Sequence, residues 1–221
     1  DGRVGVFAGE SLSTYMILNV VPNFDTNYAS AGSLQAAIGN DKDSLTTTLT
    51  YKMDLRGAGI TIQSSSSTSL VAVSMACQSL INYQCDMILA GGVSVGSPKK
   101  NGYLFEEAGI VSPDGHCRPY DAEGHGFVPG TGVGVVLLKR LDEALEDGDH
   151  IYAAIKGFAV NNDGAKKVSY SAPSADAQAE VIMEAQKYAG FPPETISYVE
   201  GHGTATKLGD VIEVSALKRA F

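Results

Sequence analysis

The segment Ile60-Thr-Ile-Gln-Ser-Ser-Ser-Ser-Thr-Ser-Leu-Val-Ala-Val73 constrains the fold of this chain more than any other. A β-branched strand runs directly into a cluster of hydroxyl side chains and then into an apolar helix. A junction of this kind displays a nucleophile at a helix N-terminus, where the helix dipole favours negative charge. The segment therefore predicts a strand and a helix joined at a functional turn that contains Ser66.

The serines of this junction have a second interpretation. Ser and Thr accept hydrogen bonds from the unpaired amides that begin a helix, so Ser66 and its neighbours can be a capping cluster. Four consecutive serines are more than a cap needs, but small hydroxyls also suit a crowded turn. The G-x-S-x-G motif of serine hydrolases is absent, so the sequence does not support a serine esterase. The residues alone leave both interpretations of Ser66 open.

Strands and helices alternate along the chain, which predicts a layered α/β fold with a mainly buried sheet. The predicted strands are 3–8, 60–63, 86–95, 130–138, 151–160 and 197–200. The predicted helices are 67–82, 175–189 and 212–221, with short helical pieces within 25–57. In the first of these helices, Leu70, Val73, Cys77 and Leu80 recur at intervals of three and four, so we expect them to face the core.

Charge and composition exclude several classes of protein. The 221 residues carry a net charge of −9, which argues against a nucleic-acid partner and gives no reason to expect an anionic membrane surface. The chain has no long apolar run and does not begin like a signal peptide, so we expect a cytoplasmic protein that does not span a membrane. The three cysteines, Cys77, Cys85 and Cys117, predict neither a disulfide framework nor a metal site.

A second segment with chemical potential is Glu200-Gly-His-Gly-Thr-Ala-Thr-Lys-Leu-Gly-Asp210. The two glycines leave the imidazole of His202 uncrowded, and Thr204 and Thr206 offer hydroxyls to a ligand. The alternative is a surface histidine in a turn that binds nothing. The remaining histidines lie in polar loops, where we expect them to be solvated: His116, His125 and His150.

Several segments, in order, resemble one known family. Ser64-Ser-Ser-Ser-Thr-Ser-Leu-Val-Ala72 matches the pattern T-A-C-S-T-S-L-V-A, and the segment from Glu200 to Asp210 matches E-A-H-G-T-G-T-x-L-G-D. Further matching segments begin at Gly39, Cys85, Gly109 and Asn161. By these motifs the chain is identified as a member of the β-ketoacyl synthases, and it resembles the ketosynthase domains of modular type I polyketide synthases.

The resemblance implies a thiolase-like fold, in which two related α/β halves form a layered α-β-α-β-α sandwich that pairs as a homodimer. We expect the chain to cover this fold only in part. Residues 1–150 would form the N-terminal half without its first strand and helix, and residues 151–221 would begin the C-terminal half. The second family histidine, the lysine of the K-x-N-I-G-H segment and the glycine-rich oxyanion loop would lie beyond Phe221.

The resemblance also implies a reaction and its partners. Ketosynthases take an acyl chain from the phosphopantetheine arm of an acyl carrier protein and join it to a malonyl-type extender by decarboxylative Claisen condensation. The position of His202 is that of the first family histidine, which donates to the developing enolate. Thr204 and Thr206 match positions that bind the pantetheine arm, and Ser171 is placed beside the same arm by a looser match. The implied domain binds no cofactor or metal of its own and works beside other polyketide synthase domains.

One departure from the family pattern decides what this form can do. Ser66 stands where the family has its cysteine nucleophile, and a serine hydroxyl is barely ionised near neutral pH without a general base. We therefore expect poor elongation or none, whether the serine is natural or engineered. The alternative is a non-elongating domain that binds carrier-borne acyl chains as a gatekeeper. A more distant possibility is an acyltransferase that uses Ser66. We expect Ala205, in place of the usual glycine, to be a mild change.

Overall fold

The structure is a computed structural model that describes residues 2–23, 30–96 and 102–221, so part of the predicted segment 25–57 lies outside the described residues. The chain divides into two compact units. The first contains residues 1–102 and 130–153, and the second contains residues 103–129 and 154–221. The division into two related halves at residue 150 stays a prediction.

A mixed four-stranded sheet is the framework of the first unit. Its strands are β1 (Val4–Glu10), β2 (Gly59–Thr61), β3 (Met87–Ser94) and β4 (Gly132–Lys139), in the spatial order β2-β1-β3-β4. β1 is parallel to β2 and β3, with Phe7 opposite Ile60 and Ala90, whereas β4 runs antiparallel to β3. The four strands predicted in this region are confirmed, with small changes in their ends.

The helices of the first unit are α1 (Ala31–Asn40), α2 (Ser44–Lys52), α3 (Thr68–Ile81) and the short α4 (Leu141–Glu146). Parallel strands cannot be joined by a tight turn and need a crossover. α3 is the crossover between β2 and β3, and it packs against the sheet. The carboxyl end of β2 therefore leads into the N-terminus of α3, as the sequence predicts.

The buried face of α3 differs from the predicted one. Ala72 and Ala76 are fully buried and Leu80 nearly so, at a spacing of four residues. In contrast, Leu70 is 70% exposed and Cys77 is only half-buried. Small side chains let the helix approach the sheet closely, so alanine occupies the positions that the prediction gave to larger residues. The core cluster comprises Phe7, Ala72, Ala76, Leu80, Cys85, Ile88 and Ala90.

Arg140, directly after β4, joins parts of the first unit that are distant in sequence. Its guanidinium donates to the carbonyl oxygens of Leu80 and Cys85, at 2.9 and 2.7 Å. It also pairs with Glu143 at 2.7 Å and with Asp86 at 3.4 Å. The Arg140 side chain is mostly buried, so these acceptors replace the water that the guanidinium would otherwise bind.

Two helices form the framework of the second unit. α5 (Ala175–Ala189) and α6 (Gly209–Ala220) pack against each other, and Arg219 forms an ion pair with Asp176. The bounds of α5 are those predicted. The Ser174 hydroxyl accepts a hydrogen bond from the amide of Ala177 at its start, and Gly190 ends the helix in a left-handed conformation.

The strands predicted over 151–160 and 197–200 are wrong. Neither segment pairs with another strand within the described ranges. A strand requires a neighbour for its N–H and C=O groups, and local apolar pattern cannot supply one. Aromatic side chains in both segments face solvent, with Tyr152 at 94% and Tyr198 at 74% exposure. Among the residues described, no helix is long and apolar enough to cross a membrane.

Candidate active site

The chain turns sharply between β2 and α3. A 3₁₀ turn spans Ser65–Ser67, and α3 follows without a break. Ser65 has a φ of 57°, in the left-handed region, which costs an L-residue about 1–2 kcal/mol. Strain of this kind persists only where surrounding contacts impose it. We call residues 62–68 the elbow. Ser66 is the central residue of its 3₁₀ turn, two residues before α3 begins.

The elbow lies against β1 at a position where only glycine fits. A Cβ on Gly9 would be 2.0 Å from the carbonyl oxygen of Ile62 and 2.2 Å from the Cγ2 atom of Thr68. The first of these atoms belongs to the backbone and cannot rotate away. The sheet and the elbow are therefore in direct backbone contact, which a residue without a side chain permits.

A threonine side chain holds the strained turn. The Thr68 hydroxyl accepts a hydrogen bond from the amide of Ser64 at 2.9 Å and donates one to the carbonyl oxygen of Ser65 at 2.7 Å. The Ser67 hydroxyl donates to the carbonyl oxygen of Ser64 at 2.8 Å. These three bonds fix the backbone on both sides of Ser66.

Ser66 itself takes no part in this network. Its side chain is exposed, and its hydroxyl has no hydrogen-bond partner among the described residues. Ser67, at the N-cap of α3, makes no side-chain bond to a helix amide either. The capping interpretation of Ser66 is therefore wrong, and its hydroxyl is available for chemistry.

Ser66 lines an open cleft of about 1300 Å³ in the first unit. The walls come from the elbow, the first turn of α3, the carboxyl-terminal ends of β1 and β3, and the amino-terminal part of β4. Leu70 and Val133 give the cleft apolar surface. Glu10 and Lys42 are the charged residues in its lining, and no histidine is among the described lining residues. A cleft with these walls can receive an apolar chain beside the Ser66 hydroxyl.

In the second unit, the turn that carries His202 is held by a carboxylate. Oε1 of Glu213, on α6, accepts the amide of His202 at 2.6 Å, and Oε2 accepts the amide of Gly203 at 2.9 Å. The Tyr120 hydroxyl donates to the same Oε2 atom at 2.8 Å, and the Tyr120 amide donates to Oδ2 of Asp210 at 2.6 Å. The His202 imidazole remains exposed.

These contacts shift the pKa values of both side chains that meet at the turn. Partial burial works to raise the pKa of Glu213, but the hydrogen bonds from the Gly203 and His202 amides and the Tyr120 hydroxyl outweigh it and lower this pKa. Burial, together with the bond to the Glu213 carboxylate, raises the pKa of Tyr120 to about 12. At neutral pH, Glu213 is therefore ionised and Tyr120 is a neutral donor.

The two threonines after His202 lie together. Their hydroxyl oxygens are 2.9 Å apart, and Oγ1 of Thr206 also accepts the amide of Gly209, where α6 begins. Between them, Ala205 is buried with a φ of 56°, and its carbonyl oxygen accepts the amide of Gly126 at 2.8 Å. The glycine of the family pattern would adopt this conformation without strain, so the alanine carries a local cost.

Ser171 and Ser66 are the site residues that remain from the prediction. Ser171 is exposed in the turn before α5 and makes no hydrogen bond to Thr204 or Thr206. Ser66 belongs to the first unit, and the other four candidates belong to the second. The other histidines are exposed, as predicted: His116, His125 and His150.

Sequence reasoning missed the residues that support the candidates. Asp210 and Glu213 are three residues apart at the start of α6, a spacing that places two carboxylates on one helix face. That spacing, directly after a histidine turn, is a signal that the sequence contained. Lys42 and Tyr120 reach their partners from 21 and 93 residues away, and no local pattern indicates them.

Comparison with protein families gives two adjacent matches. The profile of the β-ketoacyl synthase N-terminal domain matches residues 1–144, and that of the C-terminal domain matches residues 152–221. Over its whole length the chain is 46% identical to a component of the phenolphthiocerol/phthiocerol polyketide synthase of Mycobacterium tuberculosis, but spans only 15% of that protein. It is 40% identical to polyketide synthase PksL of Bacillus subtilis, of which it spans 5%.

Solved structures give the same picture. The ketosynthase from module 1 of the bacillaene synthase of Bacillus amyloliquefaciens superimposes with a TM-score of 0.86 at 37% identity. That match covers 99% of this chain and 39% of the solved chain. Ketosynthase twelve of the same synthase gives 0.88 at 33% identity, over 99% and 38% of the two chains. The thiolase-like α/β fold expected from the motifs is thus confirmed.

Proposed function

The chain belongs to the β-ketoacyl synthase family, and on this premise we propose that it is part of the ketosynthase domain of a modular polyketide synthase. Its similarity to polyketide synthases over its full length supports this assignment. The observation that carries the proposal is the presentation of Ser66. Its free hydroxyl lies at the head of α3, on a strained elbow, in the lining of a cleft.

The proposed reaction has two steps. In the first, the sulfur of a cysteine nucleophile attacks the acyl carbonyl carbon of a carrier thioester, and the thiol of the phosphopantetheine arm leaves. In the second, a malonyl-type extender loses carbon dioxide, and the resulting carbanion attacks the acyl carbonyl carbon. A carbon–carbon bond forms, the cysteine thiolate leaves, and the lengthened β-ketoacyl chain stays on the carrier.

The two turns would serve different steps. A nucleophile at position 66 gains from the N-terminal dipole of α3, which favours a thiolate, and the elbow amides can donate to an oxyanion. His202 would donate a hydrogen bond to the enolate oxygen that forms on decarboxylation. The Glu213 carboxylate would hold the backbone of that histidine in place.

The form with Ser66 should not complete this cycle. An alcohol needs a base to remove its proton during attack, and among the described residues no base accepts a hydrogen bond from the Ser66 hydroxyl. Any acyl-serine formed would be an oxygen ester, which is less reactive toward a carbanion than a thioester. We therefore propose a condensing domain in which one atom at the nucleophile prevents turnover.

The proposal includes specific partners. Thr204, Thr206 and Ser171 would contact the pantetheine arm of an acyl carrier protein, which brings the acyl and malonyl-type groups. The domain would act as a homodimer beside other polyketide synthase domains and would hold no cofactor of its own. The paired hydroxyls of Thr204 and Thr206 support the first of these assignments, since the pair keeps one free donor and has acceptor oxygens for an amide-rich arm.

A non-elongating role is the second candidate, and the unassisted Ser66 hydroxyl favours it. In that role the domain binds carrier-borne acyl chains in the cleft and does not condense them. The two functions predict different behaviour when a thiol is restored at position 66.

Intact-protein mass spectrometry on the full-length domain separates them. The domain is incubated with an acyl thioester of pantetheine, once with Ser66 and once as Ser66→Cys. The condensing-enzyme proposal predicts acylation of the thiol form alone, and condensation when malonyl carrier is added. Failure of both forms to become acylated would reject it and leave the binding role. Acylation of the Ser66 form with turnover would point to a serine acyltransferase.

A further inference from the structure

Lys42, between α1 and α2, reaches the elbow from outside the motif that contains Ser66. Its ammonium donates to the carbonyl oxygen of Glu10 at 3.2 Å and to the side-chain oxygen of Gln63 at 3.2 Å. Glu10 is the last residue of β1, and Gln63 lies two residues after β2. One side chain thus ties together the carboxyl ends of two parallel strands, directly before the turn.

The partners of Lys42 leave its charge uncompensated. Both acceptors are neutral oxygens, and Lys42 forms no ion pair with any carboxylate in the described parts of the chain, including its neighbours Asp41 and Asp43. A neutral donor would be sufficient for a purely mechanical tie. Lys42 is a half-buried residue in the lining of the cleft that contains Ser66, and its ammonium brings a positive charge to that lining.

We propose that Lys42 is a positioning residue for the nucleophile, which fixes the elbow and favours a negative charge at position 66. The inference rests on the proposed function, because a charge of this sign matters only where a thiolate or an oxyanion forms. The other charged group facing the cleft is Glu10, whose carboxylate would act in the opposite direction. The first turn of α3 and the described wall residues of β3 and β4 are uncharged.

The test uses the full-length domain as Ser66→Cys, in which the thiol at position 66 reports its own ionisation. Alkylation by iodoacetamide is followed against pH by peptide mass spectrometry, in the parent and in Lys42→Met, Lys42→Gln and Lys42→Arg. Lys52→Met is the matched control, because Lys52 is exposed on α2 and does not line the cleft. The exposed Cys117 is an internal reference on a separate peptide.

We expect Lys42→Met to raise the pH midpoint of alkylation at position 66 by about 0.5, since a nearby positive charge is lost. The maximal rate of acylation by an acyl-pantetheine thioester should fall about tenfold, with little change in the thioester concentration that gives half of that rate, because a misplaced nucleophile loses rate more than binding. Lys42→Arg should restore both values to within about threefold, since it keeps the charge and donors. Lys42→Gln should fold like the parent, but its pH midpoint of alkylation should be raised as in Lys42→Met.

The inference is overturned if the midpoint in Lys42→Met equals that in Lys52→Met, or if Lys42→Arg performs no better than Lys42→Met. A Lys42→Met domain that does not fold is replaced by Lys42→Gln, and the same midpoint decides. If the parent is never acylated by any thioester, the proposed function fails. The alkylation midpoint still gives an answer on Lys42, because iodoacetamide requires no recognition.

Discussion

The elbow at Ser66 and the turn at His202 each precede a helix, but they are held by different forces. Neutral groups hold the backbone on either side of Ser66: the Thr68 hydroxyl, the backbone of β1 at Gly9 and the packed face of α3. The Lys42 ammonium adds a donor to Gln63 at the start of the elbow, but it contacts no carboxylate in the described parts of the chain. A single ionised side chain holds the histidine turn, since Glu213 accepts the amides of His202 and Gly203.

The difference indicates how each region responds to change. Close backbone contact tolerates no added volume but is indifferent to protonation. A turn held by a carboxylate can accept an added methyl group beside it, but its hydrogen bonds depend on the charge of the carboxylate. The elbow should therefore be sensitive to small methyl additions, and the histidine turn should be sensitive to acid.

The largest contrast is expected from two glycine-to-alanine substitutions. In Gly9→Ala the new methyl meets a backbone carbonyl at 2.0 Å, whereas in Gly201→Ala it meets the movable hydroxyl of Tyr120 at 1.9 Å. We expect Gly9→Ala to cost about 3 kcal/mol or more. Gly201→Ala should cost about 1–2 kcal/mol, because the Tyr120 ring can move aside but then loses its hydrogen bond to Glu213. Urea unfolding of the full-length domain measures both, and equal losses would refute the proposed difference in rigidity.

Removal of the carboxylate anchor should have the next largest effect. Glu213→Ala loses three hydrogen bonds to a charged acceptor, and we expect a cost of about 2–3 kcal/mol. Glu213→Gln keeps one carbonyl oxygen and should lose less. Hydrogen exchange should locate the change at the amides of residues 202 and 203. Unchanged protection there would show that the carboxylate does not hold the turn.

The Glu213 carboxylate should also make the free energy of unfolding depend on pH. The pKa of Glu213 is lower in the folded chain than the ordinary glutamate value of about 4.3, so its stabilisation is fully present above that value. It is lost as the pH falls through the lowered folded pKa. We expect Glu213→Gln to be less sensitive to acid than the parent in urea unfolding between neutral pH and about pH 3. Parallel curves for the two proteins would contradict this.

Thr68→Val should loosen the elbow without changing side-chain volume. The valine keeps the methyl that faces β1 but loses two hydrogen bonds, at a cost of about 1–2 kcal/mol. Thr68→Ser keeps the hydroxyl and is the control. In the Ser66→Cys background, Thr68→Val should also slow acylation at position 66. An unaffected acylation rate would mean that the strained turn does not depend on this hydroxyl.

The smallest effects are expected where an L-residue has positive φ. Ser65→Gly relieves strain at an exposed residue and should stabilise the domain by about 1 kcal/mol. Ala205→Gly relieves similar strain but removes a buried methyl worth about 0.8 kcal/mol, so its net effect should be close to zero. Thermal unfolding of the two variants checks the difference. A larger gain at position 205 would mean that its methyl does not pack.

Elements with local signals were predictable from the sequence. The bounds of α5 were predicted correctly, because Ser174 and Gly190 mark its ends and its amphipathic pattern is continuous. β1, β3 and β4 are apolar runs bounded by glycine or charge. The failures are non-local, since the segments 151–160 and 197–200 have strand-like sequence but no strand beside them in the part of the chain that the structure describes.

The motifs of the candidate site could be predicted from the sequence, but the residues that hold them in place could not. Ser66 and His202 lie in unusual local patterns that stand out in the sequence. Lys42, Tyr120 and Glu213 resemble ordinary surface residues in sequence, and their roles arise only when distant segments meet. The sequence also favoured large residues for the buried face of α3, whereas close approach to the sheet requires Ala72 and Ala76.

The place of Arg140 has a consequence for how the chain is made on the ribosome. β1, α3 and β3 are complete once residue 94 has emerged, but β4 and Arg140 follow about 40 residues later, a delay of several seconds at ordinary translation rates. During that interval one edge of β3 lacks its neighbour, and the carbonyl groups of Leu80 and Cys85 lack their guanidinium donor. An unpaired strand edge can associate with other nascent chains. Yield should therefore depend on how quickly β4 follows β3 during synthesis and on chaperones that cover the open edge.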